Sequence, residues 1–308
     1  MPVGFHQPVM LAEVLAALKP RAGGRYLDGT IGGGGHAEAI LEASKPDGFL
    51  YGCDRDGEAI EAARKRLEKY AGRWELRQGN FADVGGWVPA NSLDGAVLDL
   101  GVSSMQLDTP ERGFSIQHEG ELDMRFNQRE GLTAREVVNN MPEEELERIF
   151  RELGGEPQAR RFARAIVEER RKSPIVSTRQ LADLVARVSR WKGGRVHPAT
   201  RVMQALRMHV NNEIESLRAG LEAVLGVLKP GGVMAVICFH GGEVRVVRQF
   251  FDAEARDYEA ADGDVPELRK PKAPRIRWVH RKAVFPTAEE VESNRRSRSA
   301  TLRVIEKL

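Results

Sequence analysis

Cysteine is nearly missing from this chain: two in 308 residues, Cys53 and Cys238, each inside an apolar strand-like run. A disulfide framework is excluded, and reduced core thiols are expected. Also missing is any apolar run approaching the ~20 residues that a membrane span requires. The first residues, Met1-Pro2-Val3-Gly4-Phe5-His6, lack the basic and apolar regions of a secretory signal. No internal repeat or low-complexity tract is present. These absences predict a soluble, cytoplasmic globular protein, in keeping with 41% hydrophobic and 30% charged residues. Acids are absent from one stretch: between Arg190 and Asn212 stand five Lys/Arg and two His with no Asp or Glu. From Val265 to Leu308, twelve Lys/Arg face five Asp/Glu, a local excess of seven in a chain of net charge +2. Such stretches suit a nucleic-acid backbone, and an ordinary solvated surface has the same composition.

What is present is organised around Tyr26-Leu27-Asp28-Gly29-Thr30-Ile31-Gly32-Gly33-Gly34-Gly35-His36-Ala37. A short apolar run ends in an acid and glycines, and an alanine-rich amphipathic segment follows. Strand, glycine turn and helix together make a nucleotide site. Glycine lets the backbone approach a ligand and reach positive φ, and the next helix aims free N–H groups at the bound molecule. Residues 32–37 also satisfy the dinucleotide pattern, with Asp54 twenty residues past Gly34. A structural turn with no ligand fits the same residues.

Four strands are predicted at Arg25–Asp28, Phe49–Asp54, Trp74–Gln78 and Asp94–Leu100, separated by helical segments such as Glu58–Tyr70. That alternation predicts a parallel, doubly wound α/β sheet with Asp28, Asp54, Phe81 and Asp99 along its carboxyl edge. About a hundred charged, mostly helical residues interrupt it. The α/β pattern returns with Glu213–Leu228, the turn Lys229-Pro230-Gly231-Gly232 and a strand Val233–Phe239. Strands at Arg275–Val279 and Ala300–Ile305 finish the sheet. The expected division is a sheet domain of 1–107 and 208–308 with a helical domain, 108–207, inserted for substrate recognition.

A carboxylate ending the second strand accepts both hydroxyl hydrogens of a ribose diol, which singles out Asp54. To this point a dehydrogenase and a methyltransferase both fit. The segment Leu228-Lys229-Pro230-Gly231-Gly232 before the fifth strand resembles the class I S-adenosylmethionine-dependent methyltransferases with their Rossmann-like sheet. Longer matches narrow this. His6-Gln7-Pro8-Val9-Met10-Leu11, Cys53-Asp54-Arg55-Asp56 and the run from Leu98 to Asp108 are similar to the RsmH (MraW) methyltransferases. So are Glu111-Arg112-Gly113-Phe114-Ser115, Leu122-Asp123-Met124-Arg125, His197-Pro198-Ala199-Thr200-Arg201 and Asn294-Arg295-Arg296-Ser297-Arg298-Ser299-Ala300.

The resemblance spans essentially the whole chain. It implies methylation of N4 of a decoding-centre cytidine in 16S rRNA, within the small ribosomal subunit or a late assembly intermediate. It implies S-adenosyl-L-methionine contacts at Gly34, Gly35, His36, Asp54, Phe81, Asp99 and Gln106, with no metal. The family's Ser-Phe-His-Ser-Leu-Glu-Asp stands here as Cys238-Phe239-His240-Gly241-Gly242-Glu243-Val244, which predicts a loosened loop after the fifth strand.

The exocyclic amine of cytosine is conjugated and poorly nucleophilic. Asp99 is a candidate proton acceptor besides a cofactor contact. His240 either accepts the proton, holds the base or is structural. Arg112, Arg125, Arg201 and Arg207 are candidates for RNA contact, with ion pairing inside the helical domain as the alternative. Phe114 or Phe239 is placed to stack on a base. A ribosome-assembly binding protein without turnover is the rival of another class. The sequence leaves the oligomeric state open, a homodimer included.

Overall fold

The computed structural model describes residues 8–194, 196–259, 265, 267 and 269–308. His6 and Gln7 of the first family-like motif, and Arg195 of the acid-free stretch, lie outside them. The chain divides into two compact units. One is Met1–Gly101 with Ile214–Leu308, and the other is Val102–Glu213. The inserted unit is thus wider than 108–207, because the short helix after the fourth strand belongs to it.

The first unit opens with α1 (Leu11–Leu18), β1 (Arg25–Asp28), α2 (Gly35–Ala43), β2 (Phe49–Asp54), α3 (Gly57–Leu67), β3 (Trp74–Gln78) and β4 (Leu93–Asp99). The second unit carries α4 (Ser104–Asp108), α5 (Ala134–Asn140), α6 (Glu143–Glu152), α7 (Ala159–Arg170), α8 (Thr178–Ser189) and α9 (Ala199–Val210). The chain then runs through α10 (Glu213–Val227), β5 (Leu228–Cys238) and α11 (Gly241–Glu254). It ends with β6 (Tyr258–Glu259), β7 (Lys270–Pro271), β8 (Ile276–Trp278), α12 (Ala288–Ser293) and β9 (Thr301–Lys307).

Seven strands form one sheet in the order β3-β2-β1-β4-β5-β9-β8. The first five are parallel, and β9 and β8 run antiparallel at the far side. The order reverses between β1 and β4, the switch point at which open α/β sheets hold ligands. The expected Rossmann-like, doubly wound sheet with an inserted helical unit is the architecture observed.

Side chains alternate across the sheet and build two cores. Leu27, Ala96, Leu98, Met234 and Val236 pack beneath α10 and α11 with Leu221, Val224, Val247 and Phe251. Tyr26, Leu50, Val97, Ala235 and Ile237 face the other way, against Val14 of α1, Ile40 of α2 and Ile60 of α3. Burial on both faces explains why β2, β4 and β5 are near-continuous apolar runs. The second unit has its own core, with Leu146, Phe150, Phe162, Ile166, Leu181 and Leu206 contributed by α6 to α9. Helix α8 begins with Ser177 and Gln180 closing a capping box.

The sequence reading differs from the structure in two further places. Lys229–Gly232 lies within β5 as an irregularity of its pairing with β4 rather than as a separate turn. The segment after β5 is no loosened loop: Gly241 and Gly242 form the first turn of the fourteen-residue helix α11. Among the described residues, no helix is long and apolar enough to cross a membrane.

Candidate cofactor and catalytic site

The turn after β1 is tied down by backbone bonds to its neighbouring strands and leaves Gly33 facing outward. Gly29 N–H donates to the Val97 carbonyl (3.0 Å) and Ile31 N–H to the Cys53 carbonyl (3.0 Å), so the turn grips both neighbouring strands. A Cβ at Gly29 would lie 2.4 Å from Leu98 Cδ2, which only glycine avoids. Gly34 starts α2 with φ +79°, the left-handed region. At Gly33 an added Cβ would meet nothing within 4 Å, so the crest of the turn faces open space.

Three aspartates end three adjacent strands under this turn. Asp28, at the end of β1, is 1% exposed and accepts the Thr30 N–H at 3.2 Å. Burial, aided by the Asp54 charge, pushes its carboxyl up to about 7. Asp54, at the end of β2, is half-buried; its oxygens accept the Gly32 and Asp56 N–H groups, each at 2.9 Å. Desolvation outweighs these two bonds and raises its carboxyl to about 6. Each Asp54 oxygen keeps a lone pair for a further donor.

Asp99 ends β4, and its N–H donates to Thr30 Oγ1 at 2.6 Å, locking the turn to the third strand end. Its Oδ1 is enclosed and has no hydrogen-bond partner among the described residues. Its Oδ2 lies 3.9 Å from His36 Nδ1. Burial first, then the charges of Asp28, Glu243 and Glu290, hold the Asp99 carboxyl well above the ordinary range. His36 itself is buried, with Nε2 at 2.9 Å from the Val9 carbonyl. A carbonyl only accepts, so Nε2 carries the proton and Nδ1 faces Asp99.

His240, two residues past β5, is the N-cap of α11. Its Nδ1 accepts the Glu243 N–H (3.4 Å), and Glu243 returns Oε2 to the N–H groups of Phe239 (2.7 Å) and His240 (3.3 Å). His240 Nε2 lies 3.1 Å from Glu243 Oε1, and Glu243 is 3% exposed. The ring is therefore held from two sides. With Nδ1 accepting, a neutral His240 keeps its proton on Nε2. Glu290, in the first turn of α12, takes the Met10 N–H at 2.6 Å.

Phe81 opens the short helical turn after β3, behind an Asn80 cap that also donates to Ser216 Oγ (2.9 Å). Its ring lies on Gly220 of α10, where a Cβ would come within 2.1 Å of it. One face is committed to that helix. These residues fit S-adenosylmethionine. They offer an open glycine crest, a strand-end carboxylate with spare lone pairs, and one enclosed carboxylate oxygen lacking a donor.

The remaining expected residues sit in the second unit. Gln106 closes a capping box on α4: its Oε1 accepts the Ser103 N–H (3.0 Å) and its own N–H reaches Ser103 Oγ (3.3 Å). Arg112 is 4% exposed and donates to the Arg125 and Phe126 carbonyls at 3.1 and 3.0 Å. Arg125 forks onto Asp123 (2.7 and 3.0 Å) and Arg207 onto Glu213 (2.7 and 2.8 Å). For these three, internal pairing is what the structure shows. Arg201, on the first turn of α9, is exposed and has no ion-pair or side-chain hydrogen-bond partner among the described residues. Phe114 stacks on Phe126 with ring centroids 5.7 Å apart.

Sequence reasoning did not single out Asp28 or Glu243 as site residues. Asp28 carries a signal, an acid directly before the glycines. Glu243 carries one as well, since a residue three positions after a cap closes a capping box.

Known proteins resemble this chain along nearly its whole length. A "Ribosomal RNA small subunit methyltransferase H" of Syntrophotalea carbinolica is 49% identical over 98% of this chain and 98% of that protein. The protein of that name from Pelobacter propionicus is 48% identical, covering 99% of each chain. Among solved structures, a SAM-dependent O-methyltransferase of Thermotoga maritima is a distant likeness. It is 11% identical with a TM-score of 0.43, over 99% of this chain and 68% of that one. A family model described as the MraW methylase family matches residues 4–308. The chain belongs to the MraW methylase family.

Proposed function

We propose that this protein methylates N4 of a decoding-centre cytidine of 16S rRNA, in the small subunit or a late assembly intermediate, using S-adenosylmethionine. Family membership along the whole chain supports rRNA methylation, and the enclosed Asp99 Oδ1 without a donor is the observation that carries the amine chemistry. Gly34, Gly35 and the open crest at Gly33 would hold the cofactor on one side. Asp54 would take its ribose, with Phe81 and Asp99 beyond. S-adenosylmethionine supplies an electrophilic sulfonium methyl and a positive charge that favours the ionised form of Asp99.

An amine lone pair spread into the cytosine ring attacks poorly until an acceptor draws on one N–H. Asp99 Oδ1 is that acceptor, and a carboxyl with a raised pKa is the more basic for it. His240 positions the pocket: Glu243 engages both of its ring nitrogens and so braces the β5–α11 connection beside the base. Alignment of base and methyl is the larger contribution, where good placement is worth ~7–11 kcal/mol. The binding-protein alternative rests on a loosened Gly241-Gly242 segment, and that segment is a capped helix start.

The test is single-turnover methyl transfer to small subunits from a strain lacking the enzyme, with cofactor affinity measured separately. Asp99→Asn should slow the step by ~10²–10⁴, and His240→Ala should slow it more than it weakens cofactor binding. An Asp99→Asn rate within a few-fold of wild type would remove Asp99 as acceptor. A wild type inactive on these subunits would end the proposed activity.

A further inference from the structure

The second unit carries a feature that the capture of a cofactor and one cytosine does not use. Trp191 follows the left-handed C-cap of α8, Arg190 at φ +55°, and its N–H returns to the Ala186 carbonyl at 3.1 Å. The backbone at Trp191 is therefore held, yet the residue is 41% exposed. The His197 ring meets the indole edge-on, with centroids 4.6 Å apart at 67°. His197 is itself fixed, because its Nδ1 accepts the Ala199 N–H (3.2 Å) at the start of α9. Two helix ends thus present a braced aromatic pair to solvent.

The chain that carries the pair has no acid from Arg190 to Asn212. Arg190, Lys192 and Arg201 are exposed, and none has a carboxylate partner among the described residues. On α6 and α7, by contrast, Arg148 and Arg164 each rest on a glutamate, at 2.7 and 2.9 Å. An exposed aromatic face with unpaired cations along the same stretch suits a strand that carries both π faces and phosphates.

We infer that Trp191, braced by His197, is a stacking platform for an unpaired base of the substrate RNA, with Arg190, Lys192 and Arg201 on the flanking phosphates. This rests on the rRNA reading above and adds to it a contact outside the catalytic centre. The platform recognises single-stranded RNA by stacking, without reading the base edge.

The experiment uses full-length protein and a labelled, unpaired oligoribonucleotide of about ten nucleotides, within the usual site size of ~4–16. Fluorescence anisotropy gives its affinity across a salt series. Trp191→Ala should weaken binding ~5- to 100-fold with an unchanged salt slope, the usual range for losing one stacked base. Trp191→Phe should restore most of it. Lys192→Ala should instead flatten the log–log salt slope by ~0.7, the value for one single-strand phosphate contact.

Wild-type affinity in Trp191→Ala, or equal losses in Trp191→Ala and Trp191→Phe, would overturn the platform. So would unchanged oligonucleotide binding together with weakened binding to small subunits, which would assign the face to a protein. In each of these cases wild-type methyl transfer to under-methylated subunits would still stand. Its absence would instead be a failure of the rRNA reading.

Discussion

Asp28, Asp54 and Asp99 share one sheet edge, and each carboxyl is raised by burial. A carboxyl whose folded pKa lies above its unfolded value stabilises the fold fully at pH below about 4. It loses that contribution as pH rises through the folded pKa. For Asp28 the window runs from about 4 to about 7, the value burial pushes it to. A tenfold change in proton affinity is worth about 1.36 kcal/mol, so the effect is on the order of 2–4 kcal/mol. Asp28→Asn keeps an acceptor for the Thr30 N–H, so it should raise the melting temperature at pH 8 and little at pH 4.5. Equal shifts at both pH values would show that Asp28 does not titrate in the fold. Asp54→Ala should weaken cofactor binding by ~1.5–3 kcal/mol, the scale of hydrogen bonds to a charged group. Titration calorimetry with unchanged affinity would take Asp54 out of the site.

At the scale of elements, the start of α11 is a small device. His240 and Glu243 cap the helix reciprocally, and the same bonds hold the His240 ring just past β5. Glu243→Ala would strand the Phe239 and His240 N–H groups, costing ~1–3 kcal/mol of stability. It should also slow methyl transfer with cofactor affinity nearly unchanged. Denaturant unfolding beside single-turnover assays would show whether both effects occur. Gly241 sits in the same first turn without positive φ, and a Cβ there meets nothing within 4 Å. Gly241→Ala should therefore stabilise by ~0.4–1 kcal/mol by restricting the unfolded chain, with activity retained. A lower melting temperature would mean that the glycine is needed for its conformation after all.

For the whole molecule, the two units divide the chemistry as they divide the chain. The sheet unit carries the acids and glycines of a small-molecule site. The helical unit carries the acid-free stretch from Arg190 to Asn212. RNA affinity should accordingly fall steeply with salt, by about −0.7 in the log–log slope per phosphate contact, while cofactor affinity barely moves. RNA binding that is flat in salt would remove the electrostatic footprint.

Much of this is legible in the chain itself. The strands β1 and β2 lie where short runs bounded by turn residues predict them, because local composition suffices to specify a buried strand, and the edge strand β3 lies at its expected Trp74–Gln78. The handedness of βαβ crossovers alone places the glycine turn, Asp54 and Asp99 on one edge. The family is readable from long motifs. Tertiary structure decided what those patterns leave open. Whether Arg125 meets RNA or Asp123, and whether Arg207 meets RNA or Glu213, depends on which acid the fold brings within reach. Spacing does not encode that choice. Gly241-Gly242 suggests looseness by propensity, yet the end of β5 and the Glu243 cap hold it in a helix, since tertiary bonds outweigh the ~1 kcal/mol preference of a glycine. The raised carboxyls likewise exist only in the fold, because desolvation is a property of the packed strand ends and not of any residue.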